Sequence, residues 1–582
     1  MRQRIIITQK TNNRLLPIKY FIQIKRILLA SFTLTLTINP VIAAEVASPI
    51  NASWYSVLPP LLAVVMALVS HRLLLSLGTA ILLGGFLMAF QTNSDSILID
   101  TVSNSGSYLF KNMTDSWNLK VLAFVICILS MISVVIVAGG LKGIVNHLLP
   151  YAKTPRSTQL ITAISGLVVF IDDYANTMIV GSSMRTVTDQ YKISREKLAF
   201  IIDATSAPVA GLAVISTWIG FEVGLFGDVS KTLNIGLDGY SMFFDAFAFR
   251  FYCILMLIFV FINIWTKRDF ASMHLAEVRA TNGKLFADDA SITVNTAFSI
   301  ISPDENSKTR AKTALIPFSI LFVVLLVGLW IDGGGMKHLN QSTFNLLSVD
   351  SWRHVISNTE NSTSILLISA FLGLLSSIFL ANVYAKTQLS LIYKAVISGT
   401  KASFLPVLIL LLAWSLKSTC DDLNTGEYIV TLLSPHLSPL WFPAILFFIA
   451  AITAFGTGTS WGTMSILIPI AIPIAYALDG QNYGLVTIIC LGAVLDGAIF
   501  GDHCSPISDT TIMSSIAAQC DHIHHVQTQI PYSLFVASVA LFIGYIPAAM
   551  GFSPILSYIL GAIALFAGLR YFGKYRDVPV KA

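Results

Sequence analysis

The sequence predicts an all-α polytopic membrane protein: about eleven transmembrane helices plus two re-entrant hairpins in an inverted-repeat arrangement. Three observations carry this. Hydrophobic residues make up 55% of the 582 and charged residues 12%, about half of the roughly 25% usual in soluble domains. The apolar residues gather in runs long enough to span a bilayer. Two more runs are interrupted near their middles by Gly, Thr, Asn or Asp, at matching places in the two halves of the chain. Such a chain has too little polar surface to cover soluble domains of this size, and needs lipid against much of its exterior. Disorder, collagen and a secreted disulfide scaffold are excluded by the same composition. A net charge of +5 is small for this length and does not suggest nucleic acid as a partner. The cysteines (Cys127, Cys253, Cys420, Cys490, Cys504 and Cys520) show no C-x-x-C spacing, which argues against a disulfide framework or structural zinc.

Residues 1–44 have the layout of a signal peptide. A basic start from Arg2 to Arg26 precedes an apolar run from Ile27 to Thr37, and Ala43-Ala44 offer small residues for cleavage. Full spans are expected at about 55–70, 73–90, 119–139, 197–224, 242–265, 313–331, 363–384, 403–431, 484–516, 532–550 and 554–572. The interrupted runs, 157–184 and 441–478, are expected to enter and leave on one side. An outside start then gives a cytoplasmic C-terminus in a bacterial-type inner membrane. On this arrangement 22 Lys and Arg fall in inner loops and 5 in outer ones, the positive-inside bias. Making the first hairpin a simple span would put Arg185, Lys192, Arg195 and Lys197 outside. The domain order is therefore a first membrane half at 55–265, a polar cytoplasmic linker at 266–312, a second half at 313–572 and a tail at 573–582.

The halves repeat one order of features. A Gly-containing turn (Gly139-Gly140, then Asn424-Thr425-Gly426) leads into an interrupted hairpin. Its tip is Asp172-Asp173-Tyr174-Ala175-Asn176-Thr177 in the first half and Gly456-Thr457-Gly458-Thr459-Ser460-Trp461-Gly462-Thr463 in the second. Gly140 to Asp172 is 32 residues, and Gly426 to Thr459 is 33. A long span then breaks at Thr205-Ser206-Ala207-Pro208 or at Cys504-Ser505-Pro506. Non-helical backbone survives at membrane depth only when buried in protein or lining a wet cavity. The free N–H and C=O groups of a broken helix carry dipole charge, and its carbonyls with Ser and Thr hydroxyls can replace the water shell of a small cation. Four breaks meeting near the midplane make a binding site.

Acids inside apolar runs are the second signal, because each costs about 2.5–3.5 kcal/mol at a lipid-facing helix centre. They are Asp172, Asp173, Asp203, Glu222, Asp421, Asp422, Asp496, Asp502 and Asp509. Carboxylates in dry surroundings can alternate between a proton and a metal cation, the minimum machinery of a cation/proton exchanger. The densest cluster runs from Asp496 through Asp502, His503, Ser505, Ser508 and Asp509 to Thr510 and Thr511. Asp172 and Asp173 are the second candidate; Asn176 and Thr177 add neutral oxygens, and His503 is a candidate pH sensor. Lys417 and Asp421, spaced i,i+4, read as a buried structural pair. Arg250 reads as snorkelling or pairing with an acid, and His522, His524 and His525 as a solvated turn. No HExxH or GxxxxGK[ST] run is present, so an intramembrane enzyme and ATP-driven transport are not expected.

At these residues a resemblance emerges. Phe170 to Thr177, Ser206-Ala207-Pro208-Val209-Ala210, Phe455 to Thr463 and Gly501 to Thr511 together resemble the NhaC-type sodium/proton antiporters, from about Trp54 to Met550. The last motif is the most specific. The resemblance implies a secondary transporter, not an enzyme, that exchanges Na+ for H+ by alternating access. Because that family also includes malate/lactate exchangers, Na+- or H+-coupled exchange of small organic anions is the second expectation. The implied site has Na+ at Asp502 and Asp509 with Asp172, and protons competing for the same carboxylates. Asp173, Asn176, Thr177, Ser206, Thr457, Thr459, Ser460, Asp496, His503, Ser505, Ser508 and Thr510 complete the candidate set. No cofactor is expected beyond the transported ion. The expected partners are Na+, H+ and lipid, with a homodimer left open.

Overall fold

Apolar runs become helices because lipid leaves the backbone no other hydrogen-bond partner. The computed structural model describes residues 53–70, 72–92, 95–287, 290, 310–340, 355, 359, 361–425, 428 and 437–575. The segment 1–44, the linker acids Asp288, Asp289, Asp304 and Glu305, Gly426 and the tail beyond 575 lie outside these residues. The first half contains α1 (Leu58–Ser70), α2 (Leu73–Gln91), α3 (Ile97–Thr114), α4 (Ser116–Val137), α5 (Gly140–Leu148), α6 (Pro155–Val168), α7 (Asp173–Gln190), α8 (Arg195–Ala204), α9 (Thr217–Leu233), α10 (Gly239–Phe247) and α11 (Phe251–Thr266). After α12 (Ala271–Thr281) come α13 (Lys312–Asp332), α14 (Ser362–Val383), α15 (Leu389–Ala402), α16 (Phe404–Asp422), α17 (Phe442–Thr457), α18 (Ser460–Leu478), α19 (Leu485–Cys504), α20 (Asp509–Ala518), α21 (His522–Val539) and α22 (Pro554–Phe572).

Among the described residues nine helices are long and apolar enough to cross a bilayer, or ten if α10 and α11, bent by 47°, form one span. The sequence reading expects about eleven. Two expected spans are missing from these helices, and α18, an arm of the second interrupted run, is added to them. The first expected span yields only α1, of 13 residues. The run 197–224 is divided into α8, a non-helical stretch with one short turn at Ala207–Ala210, and α9. Pro208 and the Ser206 hydroxyl, which donates to the Asp203 carbonyl at 3.0 Å, favour a turn there over continued helix.

Burial sorts the helices by role. Of the apolar window of α19, 78% is buried inside the protein, against 22% for α22. So α19 is the central post and α22 a lipid-facing stave. Around α19 pack α17 and α18, and α4, α13, α14 and α15 form a neighbouring scaffold. The approach of α17 to α19 depends on two glycines one turn apart. A Cβ at Gly497 would lie 2.4 Å from the Phe447 carbonyl oxygen, and one at Gly501 would lie 2.0 Å from that of Ala451. Small residues at such a crossing let backbones touch where lipid offers no hydrophobic drive. Gly501→Val is therefore expected to force the two helices apart, at a cost of at least about 1–3 kcal/mol. The check is thermal melting in detergent; an unchanged melting temperature contradicts this packing.

The expected linker is not a free loop at its start. Asp269 pairs with Lys197 at 2.5 Å and accepts from Tyr532 at 2.6 Å, and Glu277 accepts from the Ser194 amide at 2.8 Å. Arg279 bridges to Glu196 at 2.6 Å. Strand β1 (Arg268–Asp269) pairs antiparallel with β2 (Lys574–Tyr575) just beyond α22, with Arg268 opposite Tyr575. Arg268 also donates to the carbonyls of Arg570 at 3.1 Å and Gly573 at 2.7 Å.

Candidate functional site

The four interruptions share one local device. Helix α7 begins at Asp173, and the Asp172 carboxylate before it accepts from the Ala175 amide at 2.8 Å. Helix α18 begins at Ser460, and the Thr459 hydroxyl accepts from the Gly462 amide at 3.3 Å. In the broken spans Ser216 accepts from the Trp218 amide at 3.1 Å to start α9, and Ser508 accepts from the Thr511 amide at 3.5 Å to start α20. Each is an N-cap that satisfies a free donor of the first turn. The short turn between α17 and α18 needs Gly458, whose φ is +69° and whose Cβ position lies 2.6 Å from the Ile507 carbonyl oxygen.

The halves interlock through these breaks. The Ser505 hydroxyl donates to the Phe455 carbonyl at 2.8 Å, joining the second hairpin to its own broken span. The Thr217 amide donates to the Ile171 carbonyl at 2.9 Å and does the same in the first half. Across the halves, Phe221 stacks on Trp461 at 4.4 Å between ring centroids, and Trp218 meets that ring edge-on at 6.0 Å. The Tyr174 hydroxyl donates to Asp509 Oδ2 at 3.4 Å.

Acids and hydroxyls converge there. Ser460 donates to Asp502 Oδ2 at 2.7 Å, while Asp502 Oδ1 has no hydrogen-bond partner among the described residues. The carboxylates of Asp509, Asp173, Asp502 and Asp172 all act on the Tyr174 hydroxyl. Asp172 is the charge acting on Asp173, and Asp509 and Asp203 are the charges acting on Asp502. Asp172, Asp173 and Asp502 are 7%, 3% and 5% exposed, whereas Tyr174 is 42% exposed and Asp509 is also exposed. The interior acids thus border two exposed side chains, Tyr174 and Asp509. Thr510 lies beside them, its hydroxyl 3.0 Å from that of Ser508.

Several expected residues do other work. Asp496 does not join the site: Oδ1 accepts from Arg250 Nε at 2.8 Å, and Oδ2 accepts from the Tyr252 amide at 2.6 Å and the Tyr545 hydroxyl at 2.8 Å. His503 follows Asp502 in sequence but turns away from it. Its Nδ1 lies 2.8 Å from the Tyr252 hydroxyl and its Nε2 lies 3.8 Å from Asp203. Thr457 donates to the Thr453 carbonyl at 2.8 Å, within its own helix, and Ser206 and Ser505 donate to backbone as described. Asn176 pins the first hairpin to the break, donating to the carbonyls of Gly166 at 2.8 Å and Thr205 at 2.7 Å; the Thr177 hydroxyl is buried without a hydrogen-bond partner among the described residues. The expected joint Na+ shell of Asp502, Asp509 and Asp172 is not preassembled. Among the described residues no three His, Cys, Asp or Glu side chains are grouped to hold a metal ion, and Asp172 caps a helix. Lys417 does pair with Asp421, at 2.9 Å, and also meets Asp228 at 3.4 Å.

Gly458-Thr459-Ser460-Trp461-Gly462 also fits the G-x-S-x-G string of hydrolase nucleophile elbows. That elbow joins a strand to a helix and hands its serine to a base histidine. Here the turn joins two helices, and the Ser460 hydroxyl faces only acceptors, Asp502 and the Ala498 carbonyl.

The family model for the "Na+/H+ antiporter family" matches residues 209–550. The chain belongs to that family. The antiporter is 30% identical over 516 residues to an uncharacterized protein of Haemophilus influenzae, covering 88% of this chain and 94% of the relative. It is 31% identical over 182 residues to the malate-2H+/Na+-lactate antiporter of Bacillus subtilis, covering 30% of this chain and 36% of that protein. Its fold is similar to the crystal structure of the YdaH transporter of Alcanivorax borkumensis, with TM-score 0.51 and 12% identity, over 78% of this chain and 90% of that one. The chain is thus a multi-pass membrane transporter of the antiporter type, and not an enzyme.

Sequence reasoning missed a second polar centre in the antiporter. Asp203, at the end of α8, accepts from Gln529 Nε2 at 2.6 Å and from the Thr511 hydroxyl at 3.4 Å, and lies 3.4 Å from His525 Nε2. His525 is fully buried, and His522 touches the Pro506 carbonyl at 2.7 Å and Ser515 at 3.0 Å. The histidine segment is therefore the first turn of α21, with His525 in the interior, and not a solvated turn. The available signal was the i,i+4 spacing of His525 and Gln529, which puts two polar side chains on one face of α21. Tyr174 was also missed as a site residue, though it stands inside the first hairpin motif.

Proposed function

We propose that this antiporter exchanges Na+ for H+ by alternating access, with Asp502 as the central carboxylate and Asp509 at the accessible mouth. The supporting observation is the cluster of oxygens around Asp502: Ser460 donates to its Oδ2, its Oδ1 has no hydrogen-bond partner among the described residues, and the charges acting on it are those of Asp509 and Asp203. Such a cluster attracts a cation. A sodium ion at Asp502 Oδ1, completed by the Ser460 and Ser508 hydroxyls, meets that need, and so does a proton. One carboxylate cannot hold both, so loading is mutually exclusive and transport is exchange.

The organic-anion reading draws on the malate/lactate relative. A carboxylate cargo needs free helix N-termini or a basic side chain. Here each of the four helix starts is already capped by its own side chain (Asp172, Ser216, Thr459 and Ser508). The cation reading is therefore favoured. In this reading the C-terminus is cytoplasmic, following the basic-residue bias.

The test uses the purified full chain in proteoliposomes carrying a pH gradient. Na+, Li+, K+, malate and lactate are added separately. Collapse of the gradient by Na+ and not by the acids is the expected result; collapse by malate or lactate alone would establish the organic-anion reading instead.

A further inference from the structure

Glu222, on α9, is fully buried, and neither carboxyl oxygen has a hydrogen-bond partner among the described residues. Its nearest opposite charge is Arg250 Nη1, at 3.8 Å. That guanidinium is already engaged: Nε donates to Asp496 Oδ1 at 2.8 Å, Nη1 donates to the Gly211 carbonyl at 2.8 Å, and Nη2 lies 3.8 Å from Cys253 Sγ. One cation thus faces two buried carboxylates. Asp496 takes three donors and is the ionised partner of Arg250. Glu222 takes none. A buried carboxylate without donors is strongly disfavoured, and a neutral carboxylic acid removes the problem.

We infer that Glu222 is a proton-binding site separate from the cation site at Asp502 and joined to the first-half break through Arg250. The charges acting on Glu222 come from Arg250, at the start of α11, and from Asp496, on α19. Tyr545 and Cys253 in turn touch those two. When the proton leaves, a second carboxylate competes for Arg250. The guanidinium then has reason to leave the Gly211 carbonyl, which lies in the stretch between α8 and α9. A change of charge at Glu222 thereby alters the hold on the backbone of the first-half break. The chemistry is a single protonation, with no co-reactant.

Its role in transport rests on the Na+/H+ reading; the proton site itself does not, so the experiment has two arms. In the first, pH-difference infrared spectra are taken of the purified full chain, wild type and Glu222→Gln. The expected result is a protonated-carboxyl C=O band that disappears in the variant. An identical band in both proteins overturns the proposal. So does a variant that fails to fold, because ionised Glu222 would then be a required partner of Arg250. In the second arm, proteoliposomes report sodium-22 counterflow and protons moved per sodium. Glu222→Gln is expected to keep counterflow within twofold of wild type while protons per sodium fall to half or less. An unchanged ratio, or loss of counterflow as well, overturns the proposed role. If wild type moves no protons against sodium, the cargo reading fails, and the infrared arm still decides Glu222.

Discussion

Asp502→Asn abolishes sodium-driven proton movement in everted vesicles while the protein remains folded in the membrane. The amide is nearly isosteric with the acid and can still accept from Ser460, which donates to Asp502 Oδ2 at 2.7 Å. The packing of α17 and α18 on α19 is therefore undisturbed. What disappears is the charge and the carboxylate proposed to trade a proton for a metal ion. Losing a charge-assisted ligand costs about 1.5–3 kcal/mol, or about 10–150-fold in cation affinity, and the titratable position is lost altogether. The measurement is dequenching of a pH dye on adding NaCl, normalised to protein in the membrane. Asp509→Asn, at the exposed mouth, is expected to weaken exchange less than Asp502→Asn. Wild-type dequenching in Asp502→Asn would remove that residue from the site.

Arg250→Ala has the largest expected effect on stability. The side chain is 1% exposed and bridges three elements: Asp496 on α19, the Gly211 carbonyl in the first-half break, and Glu222 on α9. Removing one partner of a buried ion pair strands the other charge and typically costs about 3–5 kcal/mol, whereas replacing both partners with apolar groups is often neutral or stabilising. Arg250→Ala should therefore lower the detergent melting temperature and the folded yield sharply, and the double variant Arg250→Met with Asp496→Leu should recover much of the loss. A single variant that melts with wild type would show that the pair contributes nothing.

The four helix breaks, before Asp173, Thr217, Ser460 and Asp509, were legible because they depend on local chemistry. Gly458 permits a left-handed turn, Pro208 interrupts a helix, and Asp172, Thr459 and Ser508 are good N-caps wherever they occur. Asp502 stood out because an acid in an apolar run needs a reason. The failures share a different cause. Asp496 looked like a ligand because its counter-ion, Arg250, is 246 residues away in the chain. The buried setting of His525 is made by Asp203, and the Asp203 contact with Gln529 closes a separation of 326. No local pattern encodes such pairings. How far its break divides the run 197–224, leaving two separate helices, was not legible either, because hydropathy registers how apolar a run is and not where its backbone turns.

The two-residue ladder between β1 and β2 constrains how such a machine can move. It has no slack, and Arg268 reinforces it at the carbonyls of Arg570 and Gly573. Lys197, Asp269 and Tyr532 rivet the same corner to α8 and α21. These helix ends must therefore travel as one piece. On the proposed alternating-access reading, flexing falls instead to the breaks at 205–216 and 505–508, so cross-linking the last turn of α22 to α11 should leave turnover intact.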